Sequence, residues 1–160
     1  MEAAANCCRE DMSRTFAILL LSTLAVHAEP ITPAEITVVG GDTIDARGVR
    51  FRMIGYDTPE VSTPRRKVGA AERASAERAT ARFRELLKSG PLDLTEVRCS
   101  CPESRILNGT CNRGRKCGVL TLNGENIGKT LIAEGLAVEF ICPTSCPKMP
   151  DWPSIIEKWQ

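Results

Sequence analysis

At 160 residues, with 42% hydrophobic and 26% charged side chains, the chain reads as one globular domain with a single core. Its formal net charge of +1 is too small to argue for a nucleic-acid partner, so any such case must rest on local clusters.

In chain order, the first signal is Arg14 followed by an apolar run over residues 16–26 and then Val26-His27-Ala28, a small-x-small cleavage pattern. Residues 1–28 are expected to be a signal peptide removed after Ala28. The run is shorter than the roughly 20 apolar residues of a membrane-spanning helix, which disfavours an uncleaved anchor. Residues 1–11 are acidic and carry Cys7 and Cys8, whereas Met12-Ser-Arg opens like a natural start. Cleavage removes Arg9 and Arg14 against Glu2, Glu10 and Asp11, leaving 19 basic and 17 acidic residues.

Cleavage also removes His27, the only histidine. Serine-histidine hydrolases, histidine-based nucleases and His-ligated zinc hydrolases are thereby excluded, and carboxylates, arginines, thiols or a hard metal must carry any catalysis. Six cysteines remain: Cys99, Cys101, Cys111, Cys117, Cys142 and Cys146. An even six in an exported chain reads as three disulfides, with 15 possible connectivities. The alternative, a thiolate zinc site, is disfavoured by the irregular spacing and the oxidising compartment.

Residues 29–35, with Pro30 and Pro33, read as a linker before the domain. Residues 36–39, 43–46 and 49–56 predict a β meander; Val49, Phe51 and Met53 share one face, and Arg50 and Arg52 the other. From about Val68 the period becomes helical: Ala76, Ala79, Phe83, Leu86 and Leu87 form an apolar stripe, with Glu72, Arg73, Glu77 and Arg78 placed opposite. Ser89-Gly90-Pro91 ends that helix. Leu92, Leu94 and Val97 predict a strand, residues 99–115 a Cys-tied loop, and residues 119–122 a strand ending at the Asn123-Gly124 turn. A short helix over 127–134 closes at Gly135, and residues 151–159 predict a last helix whose Trp152 and Trp159 share a face. Strands with helices and no βαβ alternation suit an α+β architecture: an OB-fold, a five-stranded barrel with packed helices, over 36–141, and an extension over 142–160 packed on it.

Chemistry concentrates in Gly41-Asp42-Thr43 and in the stretch from Arg52 to Asp57-Thr58-Pro59-Glu60. Carboxylates at the ends of adjacent strands can converge on one cation, and oxygen ligands select a hard ion such as calcium or magnesium, with calcium favoured outside the cell. Glu60 is placed to hold a water there.

These residues resemble the staphylococcal nuclease (thermonuclease-like) family. Its Asp-Gly-Asp-Thr, Arg-x4-Asp-(Thr or Ala)-Pro-Glu and Tyr-Gly-Arg patterns appear as Gly40-Gly41-Asp42-Thr43, Arg52 to Glu60 and Arg113-Gly114-Arg115. An Ala-rich helix after Gly69 and the stretch from Asn126 to Ala137 agree as well, so the likeness covers roughly residues 36–140. It implies that Asp42, Asp57 and the Thr58 carbonyl bind Ca2+, that Glu60 orients or deprotonates water, and that Arg52 and Arg115 grip the phosphate. Arg65, Arg66, Lys67 and Arg113 are candidate substrate contacts. The chain departs from the pattern at Gly40 and Arg113, and it has no tyrosines after the last core helix.

The resemblance implies a secreted or periplasmic, calcium-dependent nuclease hydrolysing phosphodiester bonds of DNA, RNA or both. A monomer free of the membrane once processed is expected. The alternative is a catalytically weak OB-fold module that binds single-stranded nucleic acid or a protein partner.

Overall fold

A computed structural model describes residues 28–63, 67–143 and 146–159. The expected signal peptide, apart from Ala28, and Arg65 and Arg66 lie outside the described residues. Among the described residues no helix is long and apolar enough to cross a membrane.

The meander forms as expected as far as Met53, where the expected 49–56 strand breaks and residues 55–57 leave for a separate pairing. Strands β2 (Ile36–Gly40), β3 (Thr43–Ala46) and β4 (Val49–Met53) pair antiparallel in sequence. Before them, β1 (Glu29–Ile31) pairs with β6 (Leu92–Val97), and a 3-10 turn spans Pro33–Glu35. Residues 29–35 are therefore an edge strand and a turn of the domain rather than a linker. Prolines fit both places, because an edge strand leaves N–H groups unpaired and a helix start needs none. Ile31, buried in the core, fixes this segment to the sheet.

β6 pairs antiparallel with β7 (Lys116–Leu122), which runs parallel to β4. The sheet order is β1-β6-β7-β4-β3-β2, with β8 (Glu125–Asn126) hooked onto β7 through the two-residue turn Asn123-Gly124. Both turn residues take positive φ, as a primed hairpin turn requires. The result is a mixed α+β fold around a curled, half-barrel sheet. A separate pair, β5 (Gly55–Asp57) with β9 (Val138–Phe140), lies beside it.

Helix α1 (Ala70–Leu86) buries Ala76, Ala79, Phe83 and Leu86 as the stripe predicts. Glu72 is a correction: expected on the exposed face, it is buried at 2% exposure. Positions 72, 76, 79, 83 and 86 are spaced by four and three, so Glu72 continues the buried stripe. Core side chains Ile44, Phe51, Met53, Tyr56, Leu120, Ile127 and Leu131 fill the interior of the sheet. Helix α3 (Ile127–Ala133) starts at Asn126, whose side chain accepts from Gly128 N at 2.8 Å. Helix α4 (Trp152–Trp159) packs on α1, with Trp152 buried, Trp159 38% exposed and their rings 5.9 Å apart.

The six cysteines pair as Cys99–Cys117, Cys101–Cys111 and Cys142–Cys146, which leaves no thiolate for a zinc site. The first two enclose the segment between β6 and β7, which carries helix α2 (Glu103–Leu107) and a 3-10 turn, Cys111–Gly114.

Candidate active site

Pairing of β3 with β4 sets Thr43 opposite Arg52, so Asp42, one residue before β3, lies against the Arg52 side chain. The amide of Met53 donates to the Asp42 carbonyl at 2.8 Å and fixes the turn. Asp57 ends β5 and is fully buried. Arg52 bridges the two carboxylates, Nη1 donating to Asp42 Oδ2 and Nη2 to Asp57 Oδ1. Expected on a phosphate, Arg52 instead spans the two expected metal ligands.

The approach of the two turns depends on Gly41. A β-carbon there would stand 2.8 Å from Thr58 Cγ2 and Oγ1, inside van der Waals contact. Thr58 is itself buried. The Tyr56 hydroxyl donates to the Gly41 carbonyl at 3.2 Å, tying the same turn to the core.

Arg115 reaches this cluster from the far side. Its Nε and Nη2 donate to the Asn112 carbonyl at 3.1 Å and to Asn112 Oδ1 at 2.9 Å. Nη1 donates to Thr43 Oγ1 at 3.1 Å, and the Thr43 hydroxyl donates to Asp42 Oδ1 at 2.8 Å. Three of the five guanidinium N–H groups are thus used, leaving one on each Nη for a ligand. Burial, and then the neighbouring Arg52 guanidinium, pull the Arg115 pKa down.

The carboxylates are short of positive charge. Burial, opposed by Arg52 and reinforced by Asp42, pushes the Asp57 carboxyl up to about 6, and Asp57 Oδ2 is buried without a hydrogen-bond partner. Burial, then Asp42 and Asp57, raise the Glu60 carboxyl. A buried carboxylate oxygen with no donor, next to a second carboxylate, suits a hard cation. Asp42 and Asp57 are therefore oxygen donors of the kind that a hard cation such as calcium takes.

Asp42, Thr43, Arg52, Thr58, Glu60, Arg113 and Arg115 line one cleft of about 980 Å3. Lys67, an expected substrate contact, is exposed and does not line it. Three further residues take part. Thr43 links Arg115 to Asp42, Asn112 grips Arg115, and Glu72 accepts from the Glu60 amide at 3.4 Å through Oε1. Helical spacing could have found Glu72, whereas Asn112 carries no local signal. No protein-family model and no curated protein matches the chain.

Proposed function

We propose that the chain is an exported, calcium-dependent phosphodiesterase acting on nucleic acid, with an OB-fold barrel of the staphylococcal nuclease kind. One observation carries this: Asp42, Arg52, Glu60 and Arg115 line one cleft, and Arg52 ties Asp42 to Asp57, whose second carboxylate oxygen is buried without a donor. Export is supported by the signal-like leader and by three disulfides, which persist in oxidising compartments.

Asp42, Asp57 and the Thr58 carbonyl would hold the ion. When bound, calcium supplies positive charge opposite the developing charge of the phosphate. Arg115 keeps two N–H groups for phosphate oxygens, and its planar fork matches two of them. Asn112 and Thr43 hold the guanidinium in place before substrate arrives, so little reorganisation is needed. Glu60, its carboxyl raised by burial and neighbouring carboxylates, accepts the proton of the attacking water. The water oxygen forms the new bond to phosphorus, the ester bond opposite breaks, and solvent protonates the leaving oxygen.

The test is Arg115→Lys and Glu60→Gln on single-stranded DNA in calcium. Arg115→Lys keeps the charge and loses the fork, so kcat falls by about a hundredfold or more while substrate affinity changes little. Glu60→Gln behaves similarly. Wild-type rates in both variants overturn the site; tight binding of single strands without any cleavage by wild type supports a binding module instead.

A further inference from the structure

Six arginines and no lysine line the cleft: Arg50, Arg52, Arg98, Arg105, Arg113 and Arg115. The only carboxylates among its lining residues are Asp42 and Glu60. The chain as a whole carries a net charge of +1, so positive charge is gathered here rather than spread over the surface. Arg52 is neutralised by Asp42 and Asp57, and Arg50 by a two-pronged contact with Asp45 at 2.7 Å. The other four all stand on the stretch from Arg98 to Cys117, which two disulfides close.

That segment presents cations at an energetic disadvantage. Arg113 takes a left-handed φ of +59°, a conformation that most residues with a β-carbon avoid, next to Asn112 at +49°, a residue type that tolerates it. Arg113 and Arg52 both repel Arg115. Arg105 and Arg113 have no ion-pair partner among the described residues, and Arg98 meets only Glu103 at 2.7 Å, in a pair where both side chains are mostly exposed. Such an exposed pair is weak and easily exchanged for another anion. Exposed guanidinium groups on a segment held by two disulfides are positioned to share an anionic ligand. Guanidinium forks, rather than ammonium groups, suit phosphate oxygens.

Resting on the phosphodiesterase reading, we propose that Arg98, Arg105 and Arg113 form a second phosphate-binding subsite. It takes backbone phosphates of a nucleic-acid strand beyond the phosphate held at Arg115. The disulfide-closed segment then acts as one wall of a strand-binding groove, and substrates longer than one nucleotide gain affinity from it.

The test uses the mature protein in chelator, where cleavage does not compete, titrated into a labelled single-stranded DNA of about 12 nucleotides. Anisotropy is read from roughly 50 to 200 mM salt. Arg98→Gln with Arg105→Gln weakens binding about tenfold at the low-salt end. It also lowers the slope of log affinity against log salt by about 1.4, because each single-strand phosphate contact contributes about 0.7. Glu103→Gln, which releases Arg98, tightens binding. All three side chains are exposed, so the variants fold, as a thermal transition will verify. Unchanged affinity and slope in the double variant overturn the proposal, as does a loss of polyglutamate binding with none for the oligonucleotide. A second arm measures hydrolysis of bis(p-nitrophenyl) phosphate in calcium. A loss on the oligonucleotide at least tenfold greater than on the small diester supports a separate subsite, and equal losses overturn it. If wild type hydrolyses neither substrate, the phosphodiesterase reading fails, while the chelator titration still decides the subsite.

Discussion

Gly128→Ala tests how closely the site is tied to the core. Gly128 lies in the first turn of α3, and a β-carbon there would stand 2.2 Å from Tyr56 Cδ1 and 2.5 Å from Cε1. Both distances are far inside contact, and the Tyr56 ring has nowhere to go at 2% exposure. Overpacking a core by one methyl group typically costs about 1 to 3 kcal/mol. For a domain of this size each kcal/mol corresponds to roughly 4 °C in Tm, so a fall of about 4 to 12 °C is expected. Displacing the ring also loosens the Tyr56 bond to the Gly41 carbonyl, so calcium should raise the Tm of the variant less than that of wild type. Gly40→Ala is the internal control. A β-carbon there meets nothing within 4 Å, and an alanine in a strand loses less backbone entropy on folding than glycine. Its Tm should hold or rise. Thermal melts of the two variants, with and without calcium, make the comparison; a Gly128→Ala protein melting within about 1 °C of wild type would refute the packing argument.

Reduction should lower stability markedly, since disulfides closing loops contribute about 2 to 4 kcal/mol each. Free thiols found by mass spectrometry at Cys99, Cys101, Cys111, Cys117, Cys142 and Cys146 of the purified, unreduced protein would contradict the three pairs. The Glu35 carboxyl is held down to about 2 by the Thr32 amide and then the Arg47 guanidinium. Its folded pKa lies below the ordinary value of 4.5, so the stabilisation is fully present above about 4.5 and disappears as pH falls towards 2. The Tm gap between wild type and Glu35→Gln should therefore close over that range, and a gap independent of pH would count against the contact.

Much of this arrangement could be read from residue order. The meander and α1 follow from periods of two and 3.6, and Gly135 ends α3 with a φ of +67° as its position predicts. Asp42, Arg52 and Asp57 were legible because a short antiparallel connection leaves few ways to place strand ends. The misses have physical causes. Prolines suggested a linker over 29–35, yet an edge strand tolerates them, and only long-range pairing with β6 shows it. The charge on Glu72 outweighed its place on the buried stripe. β5 with β9 joins segments about eighty residues apart, and Cys99 to Cys117 could pair in many ways until the β6 to β7 register brought Val97 opposite Cys117. Asn112 holds Arg115 through a left-handed turn that no spacing rule predicts.

The central claim is that Asp42 and Asp57 form a cation site serving phosphodiester hydrolysis. The most direct measurement is the rate at which mature protein cleaves single-stranded DNA and RNA in calcium and then in excess chelator. Cleavage in calcium that stops with chelator and returns when calcium is restored is the predicted result. Undiminished cleavage in chelator, or no cleavage of either strand in calcium, would contradict the claim.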